Sequence, residues 1–300
     1  MNHAPVVAAT DLSAGGDEAT RQAAELSSLL GCPLVVVHAV SDLIGGRLDE
    51  AEAKRALGER VAGLTENLPS DPEVVVVRGS APGAILELAD RADAALVVLG
   101  AGETHVPFVG GTAEQVVRHA PCSVLVARPS PAQGAVVAAT DFSQYAEPAV
   151  AAAVTVAGLR RSELVLAHSI HVPVSPLSVF GPLVIDAPSP VAREEQKQVA
   201  RQMLDTSFAS FGLSGRALVL EGVPARAIAR AAEETGAGLV VVGTHGRTGF
   251  ERIALGSEAE RILRTAPCSV LVVRRRSGEP GLGVLGDRAR EVAPRIPPSG

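Results

Sequence analysis

The chain lacks tryptophan altogether and has one tyrosine, Tyr145, among its 300 residues. Proteins that hold single-stranded nucleic acid rely on aromatic platforms for base stacking, so that class is excluded first. A net charge of −6 removes the general attraction that phosphate backbones and acidic membranes require, and no nucleic-acid or membrane partner is expected. Only three cysteines occur, Cys32, Cys122 and Cys268. Their odd number and wide spacing argue against a disulfide framework and for a reducing compartment. With no C-x2-C pair and no ligand spacing among the histidines, no metal site is nominated. The apolar run at residues 149–159 is too short to cross a bilayer. The N-terminal MNHAPVVAATDLS lacks the charged start and long apolar core of a signal peptide. These absences describe a soluble, cytoplasmic protein. There is also no G-x4-G-K-[ST] loop and no G-x-S-x-G elbow, so no catalytic residue is assigned.

What the chain does have is a copy of itself. VVAATDLS at 6–13 returns as VVAATDFS at 136–143, and LVVVHAV at 34–40 as LVLAHSI at 164–170, both at an offset of 130. Gly79 and Gly222, each before a helical pattern, are 143 apart, and the two APCSVLV segments 146 apart. A repeat this long is a duplicated domain and not a solenoid unit. It divides the chain into a first domain at 1–129, a second at 134–276, and a Gly- and Pro-rich tail at 277–300 expected to be disordered. Arg274-Arg275-Arg276 at the end of the last strand reads as a solvated terminus.

Each copy alternates strand and helix. In the first copy the strands fall near 5–10, 34–39, 73–77, 95–99 and 123–127. They are continuous apolar runs, which suit parallel strands covered on both faces. The fold class is therefore α/β, two tandem doubly wound, Rossmann-like domains, each with a five-stranded parallel sheet. Ser13 and Ser143 are expected to cap the first helices, and Ser257-x-x-Glu260 and Thr112-x-x-Gln115 read as capping boxes. Cys122 and Cys268 read as small core residues. The second copy gains thirteen residues in a Pro-rich stretch, with residues 172–190 a candidate lid and a helix following from about Val191.

The richest segment is LVVVGTHGRTGFERIALGSEAERILRTAPCSVLVV, residues 239–273. Its glycines fall as Gly243-x2-Gly246-x9-Gly256-Ser257, a strand that enters a loop able to approach a phosphate closely and then begins a helix. In open parallel sheets ligands sit beyond the carboxyl ends of strands where the winding reverses. Asp141 ends strand one and Gly243 strand four, so both should flank that crevice. Asp141 can accept from a ribose hydroxyl or an adenine amine, or close an Asx turn. His245 and Arg247 can contact phosphate or simply occupy a surface loop. Joint spacing, not any single residue, carries the reading. The first copy keeps Asp11, Gly100 and Gly110-Gly111-Thr112, but its loop AGETHVPFV is three residues short, and His105 has no assigned role. Ser13-Ala-Gly-Gly-Asp17 is faintly similar to the phosphate loop of ATP pyrophosphatases; the second copy reads Ser143-Gln-Tyr-Ala-Glu147 there.

ATDFS at strand one, the H-x-I/V segment after strand two and G-2x-G-9x-G-S before the last helix together resemble the universal stress protein family, over residues 3–276. The resemblance implies strand order 3-2-1-4-5, dimerisation through the last strand and, in its nucleotide-binding branch, ATP. It places Asp141, Ser169 and Val242 near adenine and ribose, and Gly243, His245, Gly246, Gly256, Ser257 and Glu258 around ribose and phosphates. In the first copy the matching positions include Asp11, Ala39 and Gly100. Mg²⁺ is expected with ATP on general phosphate chemistry. The expected function is ATP binding that modulates conformation or partner interaction in a stress response; the alternatives are a slow ATPase and an interaction module with vestigial sites. The second domain is expected to bind ATP more tightly. A homodimer is expected, although tandem domains can also pair within one chain.

Overall fold

A computed structural model describes residues 4–40, 50–66, 68, 70–102, 111–170, 189–213, 215–244 and 255–274. Residues 172–188 of the candidate lid, the loop residues His245, Gly246 and Arg247, residues 103–109 of the short first-copy loop with His105, Gly110, and the tail lie outside the described residues.

The first half runs β1 (Val6–Ala9), α1 (Ala14–Leu30), β2 (Leu34–Val40), α2 (Glu50–Leu64), β3 (Glu73–Arg78), α3 (Ala81–Arg91), β4 (Leu96–Gly100), α4 (Gly111–His119) and β5 (Ser123–Ala127). The second repeats it as β6 (Ala135–Ala139), α5 (Glu147–Arg160), β7 (Leu164–Ile170), α6 (Pro190–Ser210), β8 (Arg216–Glu221), α7 (Pro224–Glu234), β9 (Ala237–Gly243), α8 (Ser257–Thr265) and β10 (Ser269–Val273). One sheet contains all ten strands, in the order β3-β2-β1-β4-β5-β10-β9-β6-β7-β8. Each half is parallel and ordered 3-2-1-4-5. The halves meet where β5 and β10 run antiparallel, with Leu125 opposite Leu271.

The alternating sides of each strand feed two core layers. Val7 and Ala9 face the layer formed with α3, α4, α7 and α8, while Val6 and Ala8 face the layer formed with α1, α2, α5 and α6. Equivalent helices of the two halves thus share a face. The duplication is related by an approximate two-fold axis perpendicular to the sheet, and the carboxyl ends of the two parallel sets point to opposite edges.

The seam between the halves is polar at its ends. The Arg128 N–H donates to Ser269 Oγ at 3.0 Å and the Arg274 N–H to Ser123 Oγ at 3.1 Å. The Arg128 guanidinium bonds the carbonyls of Cys268, at 3.3 Å, and Leu263. Arg274 bonds those of Val117 at 3.2 Å and Arg118 at 3.0 Å. Each arginine therefore occupies the carbonyl end of the other half's last helix, where a cation is favoured. Arg274 is consequently no solvated terminus. Burial pushes both guanidinium pKa values down from the ordinary arginine value. On the α4/α8 face, Arg118 pairs with Glu114 at 3.0 Å and Glu260 at 3.7 Å, and Arg264 with Glu260 at 2.6 Å and Glu114 at 3.6 Å. The last strands, through which the resemblance implies dimerisation, pair with each other inside this chain.

Three capping expectations need correction. Ser13 caps α1, accepting from the Gly16 N–H at 3.2 Å. Ser143 does not cap α5, which starts at Glu147 behind Ala146. A helix starting at the position equivalent to Ala14 would place Pro148 in its interior, without an N–H and against the carbonyl four residues back. The Ser143 hydroxyl instead donates to Asp141 Oδ1 at 2.6 Å. Neither capping box forms. Gly256 takes the N-cap of α8, making Ser257 its first helical residue, and the Glu260 carboxylate is drawn into the seam pairs. Thr112 is the second residue of α4.

None of the three cysteines is in a disulfide, and all are buried. Burial pushes the Cys268 thiol up to about 11. A thiol whose pKa rises on folding stabilises the fold below its unfolded value of about 8.5, and that contribution is lost as pH climbs towards 11. Native protein at pH 7.5 is therefore expected to leave Cys268 unmodified by iodoacetamide, while urea-unfolded protein is alkylated. Rapid native labelling at Cys268, read by mass spectrometry, would contradict this burial.

Candidate functional site

The repeated ATD segment makes the same turn twice. Thr10 Oγ1 accepts from the Leu12 N–H at 3.1 Å and Thr140 Oγ1 from the Phe142 N–H at 3.0 Å. Leu12 and Phe142 both take positive φ, 66° and 61°, a conformation that costs a side-chain-bearing residue about 1–2 kcal/mol. The turn is held from β2 and β7 by His38 and His168, whose Nδ1 atoms lie 2.8 Å from the Thr10 and Thr140 carbonyl oxygens. The strained corner brings the Asp11 and Asp141 backbones over the strand ends. Oδ1 of Asp11 accepts from the Ser13 N–H at 3.0 Å and the Ser13 hydroxyl at 2.5 Å, and Asp141 Oδ1 repeats the N–H bond to Ser143. Both aspartates are thus Asx-turn residues at the mouth of the crevice.

In the first half the crevice is a cavity of about 200 Å³. Asp11, Ala39, Gly100, Gly111 and Thr112 all line it, together with Thr10, Ser13, Gly15, Gly16 and Gly102. It lies at the carboxyl edge where β1 and β4 are neighbours, in register from Val6 with Leu96 to Ala9 with Leu99. That is the reversal point of the winding. The starts of α1 and α4 both open onto it, so their free N–H groups and positive ends face one space.

The sequence reading missed Gly15 and Gly16 as lining residues. A Cβ on Gly16 would lie 2.5 Å from Thr10 Oγ1 and 2.8 Å from Asp11 Oδ1. A Cβ on Gly100 would lie 2.7 Å from the Gly15 carbonyl oxygen. Gly100 therefore lets the first turn of α1 sit on the end of β4, and Gly16 lets it close against the Thr10–Asp11 turn. The readable signal was the Gly-Gly pair directly after the ATDLS turn. Its counterpart, Tyr145-Ala146, lies before the later start of α5.

In the second half β6 and β9 are likewise neighbours, with Ala138 opposite Val241, so that Asp141 and Gly243 lie at the same carboxyl edge. Val242 is buried in the α7/α8 layer. Ser169 donates to the Gly222 carbonyl at 3.0 Å. The Gly256 N–H donates to the Thr244 carbonyl at 2.8 Å, so the start of α8 is tied directly to the end of β9. Glu258 stands where the first half has Thr112. Its Oε1 accepts from Arg261 at 2.5 Å, and its Oε2 is buried with no hydrogen-bond partner. Among the described residues no cluster of His, Cys, Asp or Glu could hold a metal ion on its own, and no helix is long and apolar enough to cross a membrane.

The fold and its first-half cavity define a tandem, doubly wound α/β protein with a ligand-sized opening at the carboxyl edge of the first half. The universal stress protein family matches residues 3–128 and 134–274, and the chain belongs to that family. It is 28% identical over 291 residues to the universal stress protein Rv2623 of Mycobacterium tuberculosis, covering 90% of this chain and 96% of that one. It is 43% identical over 86 residues to the universal stress protein MJ0531 of Methanocaldococcus jannaschii, covering 29% of this chain and 51% of that one. Among solved structures, a universal stress protein from Archaeoglobus fulgidus superposes with a TM-score of 0.67 at 19% identity, over 92% of this chain and 97% of that one.

Proposed function

We propose that the protein binds adenine nucleotide at both carboxyl edges, and that occupancy tunes its conformation or its contact with a partner in a stress response. The observation that carries this reading is the first-half cavity, where Asp11, Gly100 and the start of α4 meet at the reversal point of the sheet. An aspartate for ribose or adenine, small residues for close approach and two helix starts for phosphate are the groups ATP needs. Family membership supports the same ligand. The second half, with the full Gly243-x2-Gly246-x9-Gly256-Ser257 spacing, is the tighter site.

Glu258 fits a nucleotide bound as its Mg²⁺ complex. A buried carboxylate oxygen without a partner opposes bare phosphate but suits a hydrated Mg²⁺ beside it, which would neutralise charge on the phosphate oxygens. The chain's own residues then hold the base and ribose and present N–H groups to the phosphates.

The test is equilibrium titration of the full chain with ATP, with Mg²⁺ and with EDTA, alongside mass-spectrometric identification of nucleotide released from gently purified protein. Two ATP per chain are expected, with affinity at the second site lowered about tenfold or more by EDTA, a change of roughly 1.4 kcal/mol. Protein that purifies without nucleotide and shows no thermal shift with ATP would overturn the reading.

A further inference from the structure

We propose that the two nucleotide sites are coupled through the seam, so that loading one strengthens binding at the other. This rests on the nucleotide reading above and adds to it a relation between sites on opposite edges of the sheet.

The route is a chain of contacts. Helix α4 begins at the first site with Gly111 and Thr112 and ends under the Arg274 guanidinium, which bonds the Val117 and Arg118 carbonyls. Arg274 directly follows Val273, whose carbonyl accepts from the Thr244 N–H at 3.2 Å, and the Thr244 carbonyl holds the Gly256 N–H. One end of α4 thus lies in the first site, and the other is clamped by a residue adjoining the second. The converse holds with the halves exchanged. The Ala101 N–H, next to Gly100, donates to the Ala127 carbonyl at 3.1 Å. Arg128 follows Ala127 and clamps the carbonyl end of α8 through Leu263 and Cys268. The Arg118–Glu260 and Arg264–Glu114 pairs tie the two helices side by side.

The sign follows from helix electrostatics. Phosphate at a helix start and guanidinium at its end stabilise the same dipole. Nucleotide at the first site tightens α4 on Arg274, and through Val273 and Thr244 this holds the start of α8 in place at the second site. A second nucleotide then has less of that helix start to fix on binding, which is positive cooperativity.

The experiment compares ATP affinity at the first site in the full chain, where the second site fills, with that in Asp141→Ala protein, where it is disabled. At least a fivefold tighter first site is expected in the full chain, within the usual range for coupled sites. In Asp11→Ala protein, loading the second site should slow hydrogen exchange of the α4 amides at 112–118. Replacing Arg128 and Arg274 together by lysine keeps charge and stem but loses the forked contacts; it should remove the coupling while each isolated site keeps its own affinity. Equal or weaker first-site binding with the second site filled overturns the proposal, as does unchanged exchange in α4. Coupling that survives in the lysine variant overturns the route. Failure of ATP to bind either site overturns the nucleotide reading itself, and so is distinct from two independent sites.

Discussion

Leu271→Ala is expected to lower the stability of the whole chain by about 2–5 kcal/mol, the usual cost of emptying a closed leucine site. Leu271 is 1% exposed. It stands opposite Leu125 across the antiparallel seam and beside Val241 in its own half. All three belong to the layer beneath α1, α2, α5 and α6, which runs without interruption from one half into the other. The cavity therefore opens where neither half can relax alone, because the strands on both sides of β10 are held in register. Urea unfolding followed by circular dichroism should show one transition in the parent protein and a midpoint shifted to lower urea in the variant. Val199→Ala on α6 is the control: its side chain is 55% exposed, and a change within about 0.5 kcal/mol is expected. A loss below 1 kcal/mol for Leu271→Ala would mean that the seam does not bear on stability.

The architecture was legible because the central strands are buried on both sides. Val6–Ala9, Leu34–Val40 and Leu96–Gly100 are continuous apolar runs, which only a covered parallel sheet explains. The internal repeat then supplied the second half by offset. The helix starts were less legible, since capping competes with other bonds. Pro148 delays α5 to Glu147, so Ser143 no longer stands directly before the helix. Glu260 is used by Arg264 and Arg118 and does not return to the cap. The seam could have been read from one signal, an arginine following each APCSVLV strand at the common offset of 146. Read alone, Arg274-Arg275-Arg276 looked like a charged end, because a single sequence does not say that one strand edge will meet another. Of the residues nominated in the first half, Asp11, Ala39, Gly100, Gly111 and Thr112 line one cavity; Ala39 was nominated by the family resemblance and not by spacing. Gly15 and Gly16 were visible as a Gly-Gly pair, but the close approach of Gly16 to Thr10 and Asp11 is a packing contact that the pair alone does not announce.

Gly100→Ala should weaken nucleotide binding at the first site at least tenfold, so that at ATP concentrations just filling both parent sites the variant holds about one ATP per chain and not two. The added Cβ would stand 2.7 Å from the Gly15 carbonyl oxygen and 2.8 Å from its carbon. Both are backbone atoms in the first turn of α1 and have no rotamer by which to withdraw. β4 cannot yield, for it is paired along its length with β1 on one side and with β5 on the other, where Gly100 itself faces Ala127. The helix must move instead, and the Asp11–Ser13 turn moves with it. Forced overpacking of this kind costs about 1–3 kcal/mol. It also shifts one of the two helix starts that open on the cavity, which should weaken ATP at that site at least tenfold, or about 1.4 kcal/mol. Gly111→Ala separates this from a general intolerance of alanine in the cavity wall. A Cβ there meets nothing within 4 Å, and alanine is the better helix former by about 0.5–1 kcal/mol. That variant should keep or gain stability and still fold around an open site. Titration calorimetry with thermal unfolding reads both effects together. Two ATP bound by Gly100→Ala protein at those concentrations would mean that the Gly15–Gly100 approach does not shape the site.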